Sequence, residues 1–504
     1  MSDVVSFEPR TGEVAEVVAP ETTGEEVDRL CAAALAAAPA LDELGRAGRA
    51  ALLRALADAV ESRRDGIVTV ADRETALGAT RLNGELTRTC YQLRLFAEVL
   101  EEGSYLEAAI DHAGDTPMGP RPDLRRMLVP IGPVAVFGAS NFPLAFSVPG
   151  GDTASALAAG CPVVVKAHSS HPATSRLCFD VMLAAAREAG APDGTLGIVF
   201  GQQAGADLVA HPAIRAVGFT GSVGGGQALL RIIDQRPDPI PFFGELSSLN
   251  PIVVTPQAAA ERGEQVGREL VGSFTLGAGQ FCTKPGLAFV PAGPDGDRLV
   301  DAMAEAVRGT GAQVLLNEGI AASYGRISDG LAAAAGVEEV ARGGDPSGQG
   351  FEAVPRLLVA SAGDLPHEVT EECFGPVSVV ARYDGEKELF AALDAMPSSL
   401  TATVLRGEEE TDLPLAVSQE LRTRAGRLVY DAYPTGVAVS WAQHHGGPWP
   451  STNSQHTSVG TTAIRRFLRP VTWQGAPPEV LPAELTDDFR GIPRRVDGTL
   501  KLPR

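Results

Sequence analysis

The sequence predicts an α/β protein with two doubly wound domains, and two patterns carry this prediction. Between residues 131 and 245, short apolar strands alternate with longer helices, as in "GPVAVFG", "HPATSRLCFDVMLAAAREAG" and "GTLGIVFG". Such alternation is typical of βαβ units and a parallel sheet. A second alternating region runs from "NPIVV" to "GVAVSW", residues 250–441. We therefore expect two α/β units, the first with a nucleotide-binding layout.

The segments outside these two regions lack the alternation of strands and helices. Residues 23–64 are alanine-rich with apolar positions three and four apart, and Thr23 with Glu26 resembles a capping box. A second long helix is expected over about residues 84–101, and "RRMLVPIGPVAVFGAS" then changes to strand-like text. The tail "TTAIRRFLRPVTWQGAPPEVLPAEL" breaks the rhythm, which indicates docking against another element or subunit.

Size, charge and cysteine usage limit the classes of function. A hydrophobic fraction of 44% in 504 residues excludes global disorder. A net charge of −21 argues against nucleic acid as a partner. The start "MSDVVSFEPRTGEV" lacks the features of a secretory signal, and we expect no membrane span. The six cysteines show neither a CxxC pair nor metal-ligand spacing, so we expect free thiols, no metal site and a cytoplasmic location.

Three polar residues follow predicted strands, and each has two interpretations. Asn141 in "FGASNFPLAF" either donates to an oxyanion or caps the next helix. Lys166 ends the strand "VVVK", where its charge either reaches an anionic ligand or snorkels to solvent. Glu245 in "FFGELSS" suits a general base if apolar surroundings raise its pKa toward neutrality, and is otherwise a partly exposed carboxylate.

Three further segments carry chemistry of their own. In "FTGSVGGGQALL", Gly221, Ser222 and Gly226 open a helix whose N-terminus can bind phosphate, although the spacing is not that of the dinucleotide fingerprint. "TEECFGPVSVV" places Glu372 in a turn before a strand, where an ordinary acidic turn is the alternative. "GAGQFCTKPG" holds Cys282 in a glycine-rich turn, as a buried hydrophobe or as a nucleophile.

The order and spacing of these motifs closely resemble the aldehyde dehydrogenase superfamily over essentially the whole chain. The succession is Asn-Phe-Pro, a strand lysine, Gly-Ser-x3-Gly, Glu-Leu, Gly-Gln-x-Cys and Glu-x-Phe-Gly-Pro. The resemblance implies that the Cys282 thiolate attacks an aldehyde carbon, with the resulting oxyanion against the Asn141 amide and the Cys282 N–H. Hydride then leaves for a nicotinamide, and Glu245 activates the water that hydrolyses the thioester.

The resemblance also implies cofactor and substrate residues. Glu372 would hold the nicotinamide ribose, Phe374 would pack beside the ring, and Ser222 with the amides of its turn would bind the pyrophosphate. A carboxylate on the substrate would need an arginine. The residues implied for the substrate tunnel are Arg88, Phe142, Phe281 and His445.

Three of these side chains have a plainer alternative. Arg88 is either the anchor of a substrate carboxylate or an exposed helix arginine. His445 in "WAQHHGGPWP" either assists beside the nucleophile or only packs. Lys284, directly after "CT", either favours the thiolate or points to solvent.

Two departures from common family motifs bear on the cofactor. Where NAD-preferring members commonly carry an acidic residue three positions after the strand lysine, this sequence has Ser169. Lys166, His168 and Ser169 can all donate to a 2′-phosphate, so we predict NADP, with NAD as the alternative cofactor. "GELSSLN" places Ser247 near the nicotinamide, and "FGASNF" lacks the Pro-Trp that often precedes the Asn. Both features resemble an NADP-linked branch that contains α-ketoglutaric semialdehyde (2,5-dioxopentanoate) dehydrogenases.

We therefore favour NADP-dependent oxidation of α-ketoglutaric semialdehyde to 2-oxoglutarate, and a fatty or other aliphatic aldehyde is the alternative substrate. A CoA-acylating reaction is disfavoured because Glu245 is retained for water activation. A non-catalytic binding protein is disfavoured because Cys282, Glu245 and Asn141 are all present.

The resemblance further implies a division into domains and a homodimer or homotetramer. The predicted boundaries are a dinucleotide-binding domain at 1–108 and 131–244, a catalytic domain at 245–465, and an oligomerisation element at 109–130 and 466–504.

Overall fold

A five-stranded parallel sheet organises the first half of residues 2–503, the part of the chain that the computed structural model describes. In spatial order its strands are Phe242–Glu245, Ala216–Thr220, Val134–Phe137, Val163–Lys166 and Leu196–Val199. Every pairing is parallel. The strand order reverses beside Val134–Phe137, and ligands of such sheets bind at the carboxyl ends of the strands near this point. The doubly wound layout predicted for residues 131–245 is confirmed.

Helices connect these strands where the sequence predicts them. Their bounds are Gly151–Ala159, Pro172–Glu188, Gln202–Ala210 and Val223–Asp234. Val164 and Val165 are fully buried although their side chains point to opposite faces, because helices cover both sides of the sheet. This double burial explains why the strand reads as uninterrupted apolar text.

Four helices precede this sheet in the sequence. Their bounds are Gly24–Glu43, Gly45–Ser62, Arg64–Thr75 and Ala79–Glu102. The capping box at Thr23 and Glu26 is confirmed, since each side chain accepts a hydrogen bond from the other residue's backbone N–H. The sequence did not indicate the helix Arg64–Thr75, which starts without a side-chain cap. It also did not indicate the N-terminal hairpin of Asp3–Glu8 with Glu13–Pro20.

A seven-stranded sheet organises the second α/β region. Its spatial order is Glu338–Arg342, Arg356–Ser361, Val377–Tyr383, Leu287–Pro291, Ile252–Val254, Ser399–Leu405 and Ala425–Tyr430. Only the edge strand Glu338–Arg342 is antiparallel to its neighbour. The covering helices are Pro256–Thr275, Pro294–Arg308, Glu318–Ala333, Glu386–Ala395 and Asp412–Leu421.

The predicted end of this region at "GVAVSW" is wrong, because residues 436–441 form no strand. The last strand ends at Tyr430, and the chain then folds back. The Arg427 guanidinium donates to the carbonyls of Pro434 and Gly436, and Gly436 has a φ of +106°. Hydrogen bonds from Arg427, in the last strand, therefore hold the start of the segment 436–441 in a turn, where the sequence pattern predicted a further strand.

A third sheet joins distant parts of the chain. Its spatial order is Leu468–Gln474, Leu124–Pro130, Ala109–Asp111, Arg494–Val496 and Thr499–Lys501. Two small antiparallel pairs complete the strands: the hairpin of Gly114–Thr116 with Gly119–Arg121, and the pair of Gln313–Val314 with the distant Glu352–Ala353. The 3₁₀ segments are Ser104–Leu106, Leu276–Gly279, Ala362–Asp364, His367–Thr370, Thr461–Phe467, Pro478–Val480 and Ala483–Leu485. The assignment of 109–130 and 466–504 to an oligomerisation element stays a prediction, as do the domain boundaries. Across residues 2–503, no helix has the length and apolar character needed to cross a membrane.

Two loops meet where the parallel neighbours Leu287–Pro291 and Val377–Tyr383 begin. Gly279, in the first loop, has a φ of +68°, and a Cβ there would lie 2.2 Å from the carbonyl oxygen of Gly375 in the second loop. The absence of a side chain at Gly279 therefore lets two backbones touch.

We expect Gly279→Ala to lower the free energy of unfolding by about 2 kcal/mol or more, because the left-handed conformation and the overlap with Gly375 both oppose a methyl group. Gly272→Ala is the matched control, since no atom lies within 4 Å of its added Cβ in the helix Pro256–Thr275. Gly272→Ala should raise the free energy of unfolding by about 0.5–1 kcal/mol, because alanine favours a helix interior more than glycine does. Denaturant unfolding measures both, and equal midpoints for the two variants would contradict the close approach.

Candidate active site

Glu245, Cys282 and His445 meet although they lie far apart in the sequence. The Nε2 atom of His445 lies 3.0 Å from Oε1 of Glu245 and 3.5 Å from Sγ of Cys282. The Ser458 hydroxyl donates to the other Glu245 oxygen over 2.5 Å. Glu245 and His445 are 3% and 1% exposed, whereas Cys282 is partly accessible. The structure thus places a thiol, a carboxylate and an imidazole around one partly open point.

The loop that carries Cys282 is clamped from two sides. The Asn250 side-chain amide donates to the carbonyls of Cys282 and Lys284 over 2.8 and 2.9 Å. The Asn141 amide donates over 2.8 Å to the carbonyl of Gln280, two residues before the thiol. An asparagine amide has two N–H groups, so Asn141 holds the loop with one and has a second for an oxyanion. Asn141 does not cap the following helix, whose N-cap is Gly150.

The charges in this cluster differ from the sequence-based expectation. Burial opposes ionisation of Glu245, but the adjacent His445 and the hydroxyl of Ser458 outweigh it and hold the pKa of Glu245 below its ordinary value. The prediction of a raised pKa for Glu245 is therefore wrong, because the site supplies donors to the carboxylate. Burial and the neighbouring charge of Glu245 raise the pKa of the Cys282 thiol well above its ordinary value. At rest the carboxylate is ionised and the thiol protonated.

Two arginines and three aromatic rings form the wall next to the thiol. Arg88 lies over the rings of Phe142 and Phe146, with its guanidinium carbon 5.7 and 5.1 Å from their centroids. Its Nε and Nη2 are buried and find no hydrogen-bond partner among residues 2–503. Arg81 lies over Phe142 and Phe281 at 5.1 and 4.5 Å. Arg88 is therefore not an exposed helix arginine, and its unpartnered donors suit an anion.

Glu85 positions this wall, although no sequence pattern indicated a role for it. Its Oε1 accepts the backbone N–H groups of Leu144 and Ala145 over 2.8 and 2.9 Å. The same helix carries Arg81, whose Nη2 donates to the Asn141 carbonyl over 2.7 Å. Burial lowers the pKa of Arg88, while the carboxyl groups of Glu85 and Glu245 counteract that shift. The helix Ala79–Glu102 and the loop after Asn141 thus form one fixed unit.

Lys166, His168 and Ser169 lie together where the strand Val163–Lys166 ends. The Nδ1 atom of His168 accepts the N–H of Ser170 over 3.1 Å, so the neutral ring carries its proton on Nε2. Burial and the nearby positive groups of His171 and Lys166 lower the pKa of His168 well below its ordinary value. Ser169 is exposed. These three side chains give this edge of the sheet ammonium, imidazole N–H and hydroxyl donors.

The glycine turn offers fewer backbone donors than its sequence suggests. The Gly221 N–H donates to the Glu245 carbonyl over 3.0 Å, and the Gly226 N–H donates to the Ser222 carbonyl. Ser222 is the N-cap of the helix Val223–Asp234, and its Oγ accepts from Gly225. The N–H groups of Gly221 and Gly226 are both used within the protein, so neither is free to bind phosphate. The donors predicted to bind phosphate in this turn are therefore the Ser222 hydroxyl and the backbone N–H groups of the next two residues. A Cβ at Gly226 would overlap Leu246, which gives this glycine a packing role.

Glu372 and Phe374 lie partly exposed in the loop that meets the Cys282 loop. Burial raises the pKa of Glu372 to about 7, against the hydrogen bond from Ser247 and the charge of Lys284. The Lys284 ammonium is buried and donates to the carbonyls of Cys373 and Val377 over 2.8 and 2.9 Å. The interpretation that Lys284 points to solvent is therefore wrong, and the hydrogen bonds of this lysine go to backbone carbonyls of the Glu372 loop. It holds the Glu372 loop in place.

Comparison with known proteins agrees with this arrangement. The family model described as "Aldehyde dehydrogenase family" matches residues 2–470. The chain is 44% identical to alpha-ketoglutaric semialdehyde dehydrogenase 2 of Azospirillum brasilense, covering 98% of this chain and 95% of the relative. It is also 44% identical to alpha-ketoglutaric semialdehyde dehydrogenase of Acinetobacter baylyi, covering 95% of this chain and 92% of the relative.

Solved structures share the fold at lower identity. An aldehyde dehydrogenase C variant from Pseudomonas syringae, in complex with NAD+ and octanal, is 22% identical with a TM-score of 0.79 and covers 95% of each chain. An E. coli NADP dependent enzyme is 24% identical with a TM-score of 0.79 and covers 94% of each chain. The predicted fold class is confirmed by these neighbours.

The raised thiol pKa predicts a pH dependence for alkylation of Cys282 by iodoacetamide. The rate should rise about tenfold per pH unit through neutrality, because the thiolate fraction does so below the pKa. Glu245→Gln removes the adjacent negative charge and should shift the profile to lower pH. Cys282→Ser should abolish the modification, which is followed by mass spectrometry. A rate that already levels off near about pH 7 in the unmodified protein would contradict the assignment.

Proposed function

The chain belongs to the aldehyde dehydrogenase family, and we propose that it oxidises α-ketoglutaric semialdehyde to 2-oxoglutarate with NADP. The observation that supports this choice of substrate is the buried Arg88 guanidinium. Two of its nitrogens find no hydrogen-bond partner within residues 2–503, and its charge interacts with Cys282. The names of the two relatives at 44% identity support the same substrate.

The first chemical step uses Cys282 and Glu245. Glu245 takes the thiol proton as the sulfur attacks the aldehyde carbon, because the ionised carboxylate lies beside the protonated thiol. The second N–H of the Asn141 amide and the Cys282 N–H would then hold the oxyanion of the thiohemiacetal. A bound nicotinamide supplies the acceptor for the hydride that leaves this carbon.

The second step is hydrolysis of the Cys282 thioester. Glu245, once the proton taken from Cys282 has passed to solvent, would act as general base for the attacking water, and Cys282 would leave as the thiolate. His445 and Ser458 fix the orientation of the Glu245 carboxylate. His445 is therefore proposed as a positioning residue for Glu245 and as a neighbour of the sulfur. This use of water favours the free acid as product over an acyl-CoA.

The substrate would bind with its two ends in different surroundings. A 2-oxo acid semialdehyde has a carboxylate for Arg88 and a short methylene chain for the rings of Phe142 and Phe281. The same rings suit an aliphatic aldehyde, which stays the alternative substrate. What separates the two is the free guanidinium, because an aliphatic chain would leave its buried donors unpaired.

The cofactor proposed here is NADP, with NAD as the alternative. Lys166, His168 and Ser169 would bind the 2′-phosphate, and Ser222 with the amides after it would bind the pyrophosphate. Glu372 would accept from the nicotinamide ribose and Phe374 would lie beside the ring. The fit to a dinucleotide is supported by the position of these donors, which follow the strands Val163–Lys166 and Ala216–Thr220 on either side of the strand Val134–Phe137, where the strand order reverses.

The assembly proposed is a homodimer or homotetramer in the cytoplasm. The edge strand Thr499–Lys501 and the residue after it carry Leu500 and Leu502, which are 57% and 69% exposed. Apolar side chains on an open sheet edge are typical of an interface between copies.

Arg88→Ala tests the substrate. A panel of α-ketoglutaric semialdehyde, succinic semialdehyde and pentanal, assayed with both cofactors, should show the first as the best substrate of the unmodified enzyme. The variant should lose about 10- to 100-fold in kcat/KM for the two acids and less than about threefold for pentanal, as expected for one charge-assisted hydrogen bond. Arg94→Ala is the matched control, since this arginine of the same helix pairs with Asp58 at the surface. Equal losses for acids and pentanal would reject the anchor.

Ser169→Glu tests the cofactor. The added carboxylate should lower kcat/KM for NADP about 100-fold by repelling the 2′-phosphate, and leave kcat/KM for NAD unchanged or higher. Ser169→Gln, of the same size without charge, isolates the electrostatic effect and should retain NADP use. An unmodified enzyme with a higher kcat/KM for NAD than for NADP would overturn the preference.

A further inference from the structure

The cluster around Cys282 has the composition of a metal site as well as that of a catalytic site. One oxygen of Glu245, Sγ of Cys282 and a ring nitrogen of His445 all lie within 4.8 Å of one another. Thiolate, imidazole and carboxylate form the ligand set that Zn2+ prefers. We propose that these three residues bind a thiophilic divalent cation reversibly, and that the bound cation inhibits the enzyme.

The separations between the ligand atoms suit a tetrahedral ion. A tetrahedral Zn2+ with bonds of about 2.3 Å to sulfur and 2.0 Å to nitrogen keeps these two atoms about 3.5 Å apart. The observed separation of Cys282 Sγ from His445 Nε2 is 3.5 Å. The same geometry asks for about 3.3 Å between nitrogen and oxygen, and His445 Nε2 lies 3.0 Å from Glu245 Oε1. The third separation, from Cys282 Sγ to the Glu245 oxygen, is within 4.8 Å. Side-chain rotation that brings these two atoms closer would form a three-ligand site with water as the fourth ligand.

The charges of the cluster also suit a cation. The set holds a carboxylate and a thiol beside an imidazole. A divalent cation would replace the thiol proton: the Cys282 S–H bond breaks, an S–metal bond forms, and the proton passes to solvent. His445 would supply the Nε2 lone pair by carrying its proton on Nδ1. Two anionic ligands would then balance the two positive charges of the ion.

The surroundings indicate a reversible inhibitor and not a resident cofactor. The Ser458 hydroxyl donates to the second oxygen of Glu245, the one that does not contact His445. Such a hydrogen bond to a ligand is typical of metal sites. His445 lacks such support, because its Nδ1 is buried and finds no partner in the part of the chain that the structure describes. A metal-bound His445 would leave that N–H unpaired, and the positive charge of Arg88 faces the same cluster. Both features weaken the site relative to a structural zinc site.

Metal at this position would stop the first chemical step directly. The sulfur lone pair would be bound to the ion, and Glu245 could no longer accept the thiol proton. Cation and aldehyde should therefore compete for the same sulfur. Because binding releases a proton, inhibition should strengthen as pH rises.

The test uses Co2+ as a spectroscopic probe of the enzyme without cofactor, and Zn2+ as an inhibitor of the enzyme assayed with aldehyde and cofactor. One equivalent of Co2+ should produce a thiolate-to-cobalt charge-transfer band, and Zn2+ should abolish the band by displacement. Zn2+ should also inhibit aldehyde oxidation, competitively with the aldehyde, and a chelator should restore the activity. The optical measurement needs no substrate, so its outcome is independent of the proposed function.

Variants assign the ligands. Cys282→Ser should abolish the charge-transfer band, and His445→Gln should weaken Co2+ binding and Zn2+ inhibition at least about tenfold. Cys31→Ala, which removes a buried thiol elsewhere, should retain the unmodified behaviour. The proposal is overturned by a band that persists in Cys282→Ser, by unchanged Co2+ affinity in His445→Gln, or by inhibition that a chelator does not reverse. Absence of any band at a hundredfold excess of Co2+ would overturn it as well.

Discussion

A buried carboxylate that stays ionised next to a thiol is the constraint on which this molecule depends. Glu245 is 3% exposed, and a charge in that position is costly unless donors surround it. The donors come from His445 and Ser458, 200 and 213 residues further along the chain. The segment that carries them must therefore return from the second α/β region to the end of the strand Phe242–Glu245. That requirement ties the parallel sheet, the Cys282 loop and the C-terminal segment into one site.

The same electrostatic logic explains how an acidic protein can bind an anionic substrate. The net charge of −21 repels anions at long range, so affinity has to come from local donors. Arg88 and Arg81 supply positive charge beside the thiol, and Glu85 fixes their helix to the loop after Asn141 without pairing fully with either arginine. A buried guanidinium with unpaired nitrogens is unfavourable in the empty site and becomes favourable once a carboxylate enters.

The sequence predicted the fold well because each strand and helix around the parallel sheet can be recognised from its own short pattern, an apolar strand followed by a helix. It also placed Asn141, Lys166 and Glu245 at strand ends, where the topology brings functional groups together. What it could not predict depends on contacts between distant residues. The lowered pKa of Glu245 and the interior position of Lys284 follow from partners that no local pattern reveals. Asn250 and Glu85 were missed for the same reason, since each acts through side-chain bonds to another loop.

Lys284 and Asn250 also tie the loop of Cys282 to the loop of Glu372. Asn250 holds the carbonyls of Cys282 and Lys284, and the Lys284 ammonium holds the carbonyls of Cys373 and Val377 in the other loop. With a pKa of about 7, Glu372 is divided between two protonation states near neutral pH. Ribose hydroxyls that donate to it would favour the ionised form. Because Lys284 bonds to the Glu372 loop through its side chain and to Asn250 through its carbonyl, one set of hydrogen bonds fixes the backbone on both sides, at Glu372 and at the sulfur.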